Sequence, residues 1–217
     1  MAIRLAGSSG ALAEVEANSL ALRVTPKPID WGALGIYAQG AVSGVMAANL
    51  AANSPIFSYR WGDATRFSVL KKVRISAGNT STAFSAGTII FNMYLARSFS
   101  VADTGGTSVT PTGNSNKLRT SMGTTLVSDV RISSTATLTA GTRTKDGQPL
   151  GSIVVSIPAT AGFPLLAPTD LFLAAAGDYP VVFAQNEGFV IEASVPATGT
   201  WSFAVSYVAE ELTAYVP

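Results

Sequence analysis

The chain contains no histidine and no cysteine, and only 12% of its 217 residues are charged. Histidine is the usual general base near neutral pH and the commonest metal ligand. Cysteine is the strongest nucleophile among the side chains and the usual ligand of structural zinc and iron–sulfur clusters. These absences exclude most of the chemistry of hydrolases and metalloenzymes. We therefore expect a protein that is not an enzyme, with no catalytic residue, no cofactor and no metal site.

Positive and negative charges also nearly cancel, since the formal net charge is +1. Binding to nucleic acid requires clustered lysine and arginine residues. The densest basic run, Arg66 to Arg74, is interpreted as a solvated or interface-facing strand. No run of about 18 apolar residues exists that could cross a membrane as a helix. We expect neither nucleic acid nor a membrane as a partner. We also expect no signal peptide, because Glu14 and Glu16 interrupt the apolar residues near the start of the sequence.

What the chain does contain is a series of alternating apolar and polar segments. Clear examples are residues 66–76, 88–97, 126–132, 153–157, 189–195 and 200–212. Alternation with a period of two predicts strands with one buried face, and turn residues punctuate most boundaries. No long amphipathic helix is indicated. The pattern predicts an all-β protein, an antiparallel jelly-roll-like β-sandwich.

Residues 1–34 differ from the rest of the chain. Pro26 and Pro28 forbid regular structure across the end of this segment. We interpret residues 1–34 as an extended N-terminal arm that binds a neighbour, and residues 35–217 as the β-sandwich domain. The predicted contact residues of the arm are Leu5, Leu12, Val15, Leu22, Arg23, Pro26, Pro28 and Trp31.

Several groups of residues are candidates for a catalytic or sugar-binding site. Ser68 and Lys71 match the spacing S-x-x-K, but a strand would send them to opposite faces. Paired carboxylates could perform glycoside hydrolysis without histidine. A stacking platform for sugars would need exposed aromatic rings. The candidate carboxylates are Asp170, Asp178, Glu187 and Glu192, and the candidate sugar-stacking rings are Trp31, Tyr59 and Trp61. We favour scattered surface acids for the first set and core or interface packing for the second.

One long polar segment, Ser98 to Gly123, separates two of the predicted strands. Loops of this length are uncommon in compact domains unless they form a functional site or an interface. Asp103 stands apart from other acids within it, which argues against a calcium loop. We expect this segment to contact a partner.

Three stretches carry a resemblance to a known class of proteins. They are GALAEVEANSLALRVTPKPIDWGALGIYAQGAVSG (10–44), SPIFSYRWGDATRFSVLKKVRIS (54–76) and FAQNEGFVIEASVPATGTWSFAVSYVAEEL (183–212). Together they resemble virion structural proteins of tailed bacteriophages that carry a jelly-roll domain. The first is similar to the N-terminal region of such proteins and the last to their closing strands.

The resemblance implies a structural role with many copies on a symmetric assembly. The leading hypothesis is a capsid cement (decoration) protein on the outer surface of the virion, made in the host cytoplasm. Its implied partners are the major capsid protein and sister copies in a homo-oligomer, with a trimer among the options. The alternatives are a tail, neck or fibre component that contacts another virion protein or a host glycan, and a lectin-like carbohydrate-binding module.

Overall fold

The structure is a computed structural model, and it describes residues 35–158, 165–175 and 179–213. In these ranges the chain is all-β, with two antiparallel sheets packed face to face. The predicted antiparallel β-sandwich is confirmed. None of the described residues belongs to a helix that could cross a membrane. The predicted arm of residues 1–34, with all eight of its contact residues, lies outside the described residues.

The described ranges contain twelve strands. They are β1 (Gly35–Val42), β2 (Met46–Ala47), β3 (Ser54–Trp61), β4 (Phe67–Asn79), β5 (Gly87–Ala96), β6 (Thr107–Ser108), β7 (Val127–Ile132), β8 (Gly151–Ile157), β9 (Leu165–Leu173), β10 (Val181–Phe183), β11 (Gly188–Ser194) and β12 (Thr200–Leu212).

The first sheet is built around the two longest strands, β4 and β12. The short strand β2 and the longer β1 pair along one side of β12, and β9 and β10 pair along the far side of β4. The second sheet has the order β6-β7-β3-β11-β5-β8. Consecutive long strands mostly lie in different sheets, so the chain crosses repeatedly from one layer to the other.

The core lies between the sheets and is rich in aromatic rings. Along β12 the inward positions Trp201, Phe203, Val205 and Tyr207 are all buried, as the alternation predicted. In the centre, the rings of Tyr59 and Phe189 stack at 5.3 Å, and Tyr207 meets Tyr59 edge-on at 5.2 Å. Such pairs contribute roughly 0.5–1.5 kcal/mol beyond the burial of their area. The aromatic layer therefore holds the two sheets in register.

Two β-bulges change which side chains face this core. The partner of Val208 on β4 is Lys72 and that of Ala209 is Leu70, so Lys71 is the extra residue. Consequently Ser68 and Leu70 point inward before the bulge, and Val73 and Ile75 after it. Strict alternation would place Ser68 and Leu70 on the same outward face as Lys72 and Arg74, and it fails here because the bulge inverts it.

The second bulge lies where β3 pairs with β7, between Arg60 and Trp61. It places Val127 and Val130 in the core, whereas strict alternation along 126–132 would put Leu126 on the same face as Val130. Leu126 packs only at the margin of the core. The error again comes from one extra residue, this time on β7.

Candidate interaction surfaces

The described residues enclose only a very small space between the two sheets. The enclosed space between the sheets near Phe84, Phe91 and Trp201 measures about 10 Å³. This volume is at the lower limit for a single water molecule and far below the roughly 300 Å³ of a small ligand site. Any function of the described domain must therefore be looked for on its outer surface.

The candidate carboxylates do not form a catalytic pair. Asp170 lies on the outer face of the first sheet, where it accepts a hydrogen bond from Arg74 Nε at 2.6 Å. This bond lowers the pKa of Asp170 below its ordinary value. Glu192 lies on the second sheet and is bonded to Lys145 Nζ at 2.6 Å. The two acids are thus on opposite faces of the sandwich, each with its own cation.

Of the other two carboxylate candidates, the structure describes one, Glu187. Glu187 accepts a hydrogen bond from the backbone N–H of Ala184 at 2.8 Å, which closes a turn between β10 and β11. Asp178 lies outside the described residues. The glycosidase hypothesis requires two carboxyl groups flanking one bond, and Asp170 and Glu192, on opposite faces, are not such a pair.

Of the candidate sugar-stacking rings, the two that the structure describes are core residues, as the favoured interpretation of core packing has it. Tyr59 and Trp61 are 2% and 0% exposed, because both point inward from β3 into the core. Their polar atoms are used internally: Trp61 Nε1 donates to the carbonyl of Arg66 at 2.9 Å, and the Tyr59 hydroxyl lies 2.7 Å from Ser68 Oγ. Trp31 lies outside the described residues.

The serine–lysine spacing and the basic run have structural explanations. Ser68 is fully buried against Tyr59, whereas Lys71 reaches outward to Glu210 at 3.0 Å. The two residues are on opposite faces, as a strand requires. Lys72 and Arg74 both approach Asp170. Glu210 and Asp170 therefore neutralise most of the positive charge of the basic run. This is consistent with its interpretation as a strand at the surface.

The segment 98–123 is not the single open loop that its sequence suggested. It contains β6, which pairs with β7 at the edge of the second sheet. Asp103 at its first bend is fully buried and accepts hydrogen bonds from Arg143 and from the N–H of Gly141. The guanidinium of Arg143 also lies 5.4 Å from the centre of the Phe99 ring. These contacts fix the segment to the connection between β7 and β8.

Together, these connections cover part of the outer face of the second sheet. Phe99 packs there with Ala96 and Val190 in a small apolar cluster separate from the main core. Lys145 lies 4.3 Å from the centre of the Tyr94 ring while it binds Glu192. Because these connections cover its outer side, β11 is buried on both faces. The alternation of Phe189, Ile191 and Ala193 alone indicated only one buried face.

A polar network fixes the far end of the same segment to the first sheet. Tyr37 donates its hydroxyl to the carbonyl of Gly123 at 2.9 Å, and Glu211 accepts from the N–H of Leu126 at 2.9 Å and from Thr125. Burial raises the pKa of the Glu211 carboxyl above its ordinary value. Burial, reinforced by the nearby Glu211 charge, raises the pKa of Tyr37 to about 12. The tip between these anchors carries Leu118, which is 55% exposed.

The outer face of the first sheet carries a shallow depression of about 160 Å³. Small residues of β1 and β12, among them Gly40 and Ser206, form its floor. Val42, Arg74 and Pro168 line its sides. It is smaller than a usual ligand pocket and no described aromatic ring lines it. Its chemistry suits a flat contact with another protein surface better than the enclosure of a small molecule.

Exposed apolar side chains are spread over several edges and tips. The largest are Val42, Val45, Val101, Leu118, Leu150, Val154, Leu173 and Tyr179. Single exposed apolar residues are normal on protein surfaces. Val42 and Val154 stand out because each lies on a strand at the edge of its sheet, at 71% and 62% exposure.

Comparison with known proteins gives no relative: no family model, no curated protein and no solved structure matches this chain.

Proposed function

We propose that this protein is a structural component of a bacteriophage virion, most simply a capsid cement protein that binds and stabilises the coat shell. The observation that carries the proposal is the order of the strands. We number eight strand positions along the chain and count β9 and β10 together as one position. In chain order the positions are β1, β3, β4, β5, β8, β9 with β10, β11 and β12. One sheet has the order 1-8-3-6 and the other 2-7-4-5.

We infer that this order is a jelly roll. It arises when a long hairpin of paired strands is rolled up so that its first and last strands become neighbours in one sheet, as β1 and β12 are. The fold consists of two Greek keys and is typical of viral capsid proteins and lectins. The strands β6 and β7 are then an insertion between the fourth and fifth positions, added at the β3 edge of the second sheet.

A fold alone does not specify a function. Support for a structural role therefore has to come from the packing and the surface of this domain. Three features support a structural role: a sandwich filled by aromatic rings, candidate acids that are bound by cations or a backbone N–H, and connections of the second sheet joined by the buried pair of Asp103 and Arg143. Each of them makes a rigid body with contact surfaces. The resemblance of residues 10–44 to the N-terminal region of phage virion proteins implies, in addition, an arm that contacts a neighbour.

The mechanism expected of a cement protein is additional buried area between coat subunits. A standard specific interface buries roughly 1,600 Å². An extended arm of about 30 residues could reach about 100 Å, which is enough to cross a subunit. The arm contact residues predicted above, from Leu5 to Trp31, would then lie on the major capsid protein or on a sister copy.

The test is the number of copies of this chain per purified particle, measured by quantitative mass spectrometry against the major coat protein. A simple ratio to the coat, with hundreds of copies, supports the cement role. A few to a few tens of copies would instead indicate the neck, tail or fibres. Absence from the particle would overturn the virion proposal.

The arm is tested separately with a chain that lacks residues 1–34. We expect this variant to lose binding to capsids stripped of the protein, with the circular dichroism spectrum of the β-sandwich retained. A matched control is Leu118→Ser at the exposed tip of segment 98–123, which distinguishes capsid binding by the arm from binding by that segment. Full binding by the truncated chain would overturn the arm contact.

The lectin alternative rests on the depression of the first sheet, where Arg74, Ser76 and Ser206 could hydrogen-bond sugar hydroxyls. It is weaker, because the aromatic residues proposed for stacking are buried where the structure describes them. Glycan-array binding that is abolished by Arg74→Ala would favour this function over the virion role.

A further inference from the structure

We infer that β8 is a self-pairing edge, through which two copies of this chain join their second sheets around a twofold axis at Val154. This inference does not depend on a virion location. It rests on three observations: β8 is an uncovered edge, it is uncharged, and its sequence has a palindromic chemistry.

The first observation is that β8 has one free side. Its partner is β5, through an antiparallel register from Gly87↔Ile157 to Met93↔Gly151. Within the described ranges no other element hydrogen-bonds to its backbone. In an antiparallel strand, every second residue directs its N–H and C=O away from a given neighbour. β8 therefore presents a row of unpaired donors and acceptors over seven residues, about 24 Å.

Most of the other sheet edges in the described ranges are protected by the usual means, the second half of β1 excepted. The first half of β1 is covered by segment 98–123, because Ala38 N donates to the carbonyl of Asn116 and Leu118 N to that of Ile36. β9 contains Pro168, which lacks an N–H, and the charged Asp170. β6 and β10 have only two and three residues. Short strands, prolines, charges and covering loops are how proteins prevent edge-to-edge pairing.

The second observation is that β8, GSIVVSI, carries no such device. It has no charge and no proline, and its β-branched residues favour strands. Val154, at its centre, is 62% exposed on the outer face. Ile153 and Val155 pack against the margin of the core, where a partner strand would extend the buried layer.

The third observation selects a second copy as the partner. Residues 152–156 read Ser-Ile-Val-Val-Ser, which is symmetric in chemistry about Val154. A twofold axis there would place Ser152 opposite Ser156, Ile153 opposite Val155 and Val154 opposite itself. Every inward side chain then meets an inward one and every hydroxyl meets a hydroxyl. A twofold contact needs this self-complementarity, and the absence of charge removes repulsion between like residues.

A seven-residue edge is small compared with a standard interface, so we expect affinity in the micromolar range. The first experiment is sedimentation of the full chain over a concentration series up to about 100 µM. We expect a monomer–dimer equilibrium that Val154→Lys weakens by about tenfold or more, because two like charges would face each other at the axis. Val42→Lys, at an equally exposed valine on the β1 edge, is the matched control and should leave the equilibrium unchanged.

The register has its own test, which uses the absence of cysteine from the chain. Ser152→Cys and Ser156→Cys proteins should form a disulfide with each other when mixed, and neither should do so alone. Val154→Lys and Val154→Glu, each monomeric, should form a mixed dimer. Circular dichroism of every variant establishes that it is folded.

The inference is overturned if the wild-type chain stays monomeric, or if it forms a trimer. It is equally overturned if Val154→Lys and Val42→Lys affect association alike, or if cross-linking does not follow the 152–156 pairing.

Discussion

Asp103 and Arg143 form an ion pair from which water is excluded, although they lie forty residues apart on two different connections of the second sheet. The side chain of Asp103 is 0% exposed and that of Arg143 is 5% exposed. Arg143 also contacts the Phe99 ring. The pair therefore joins the start of segment 98–123 to the connection before β8, and the stability of that whole outer layer depends on it.

Removing one charge of this pair should be costly. Asp103→Asn keeps the side-chain shape and an oxygen for the Gly141 N–H, but it leaves the Arg143 charge buried without compensation. Loss of one member of a buried pair typically costs about 3–5 kcal/mol. We expect a decrease of that size in the free energy of unfolding by denaturant, with faster hydrogen exchange in segment 98–112.

The control is Asp146→Asn, which breaks the pair between Arg97 and Asp146. Both partners are substantially exposed there, at 48% and 37%. Exposed pairs contribute at most about 1 kcal/mol. If the two substitutions lowered the free energy of unfolding equally, burial would not make the Asp103–Arg143 pair more stabilising than an exposed pair.

The pairing of Asp103 with Arg143 could not be predicted from the sequence. Strand positions and the β-sandwich followed from local alternation, since each buried face is encoded within a few residues. The partner of Asp103 is not encoded locally: a lone acid in a polar loop reads as a solvated residue. Arg143 becomes its partner only when two distant connections pack on the same sheet.

The bulges show the same limit on a finer scale. Whether Lys71 is an extra residue in β4 depends on the register of β12, and periodicity within one strand cannot reveal it. The same holds for Tyr59 and Trp61, for which the sequence left a sugar-stacking platform open as an alternative to core packing. Their burial depends on the opposite sheet, which supplies Phe183 and Tyr207 as neighbours.

Close approach of β3 and β11 gives a second prediction. A Cβ at Gly188 would stand 1.9 Å from the carbonyl oxygen of Tyr59. Gly188→Ala must therefore separate two strands in the centre of the sheet, and we expect a loss of about 3 kcal/mol in thermal or denaturant unfolding. Gly147→Ala is the matched control, because nothing lies within 4 Å of a Cβ at that position. If both variants unfold at the same denaturant concentration, the close approach is wrong.

The buried Glu211 predicts a pH-dependent contribution to stability. Because its pKa is raised on folding, the folded state holds its proton more tightly than the unfolded state. Stability from this group is then present below the ordinary value of 4.5 and is lost as pH rises through the raised pKa.

Glu211→Gln removes the charge and keeps an oxygen that can accept from Leu126 N and Thr125. We expect this variant to be more stable than the wild type at neutral pH, with the difference shrinking as the pH falls towards 4.5. Denaturant unfolding at a series of pH values measures it. A constant difference across that range would contradict the assignment to Glu211.

The tyrosines predict a second loss of stability, at alkaline pH. Burial raises the pKa of Tyr37 to about 12 and that of the wholly buried Tyr59 further, against an ordinary value of 10.0. Above pH 10 the unfolded chain releases these protons and the folded chain keeps them, so stability falls as pH rises. For Tyr59 the slope is at most about 1.4 kcal/mol per pH unit.

Tyr59→Phe separates this effect from general alkaline denaturation. At neutral pH it should cost about 1 kcal/mol, because Ser68 loses the hydroxyl 2.7 Å away. Above pH 10 its stability should fall less steeply than that of the wild type, and the two curves should converge. Unfolding curves at each pH, with phenolate absorbance to follow ionisation, test this directly. Parallel curves would mean that Tyr59 ionises as readily in the folded state as in the unfolded chain, which its position between two packed sheets does not allow.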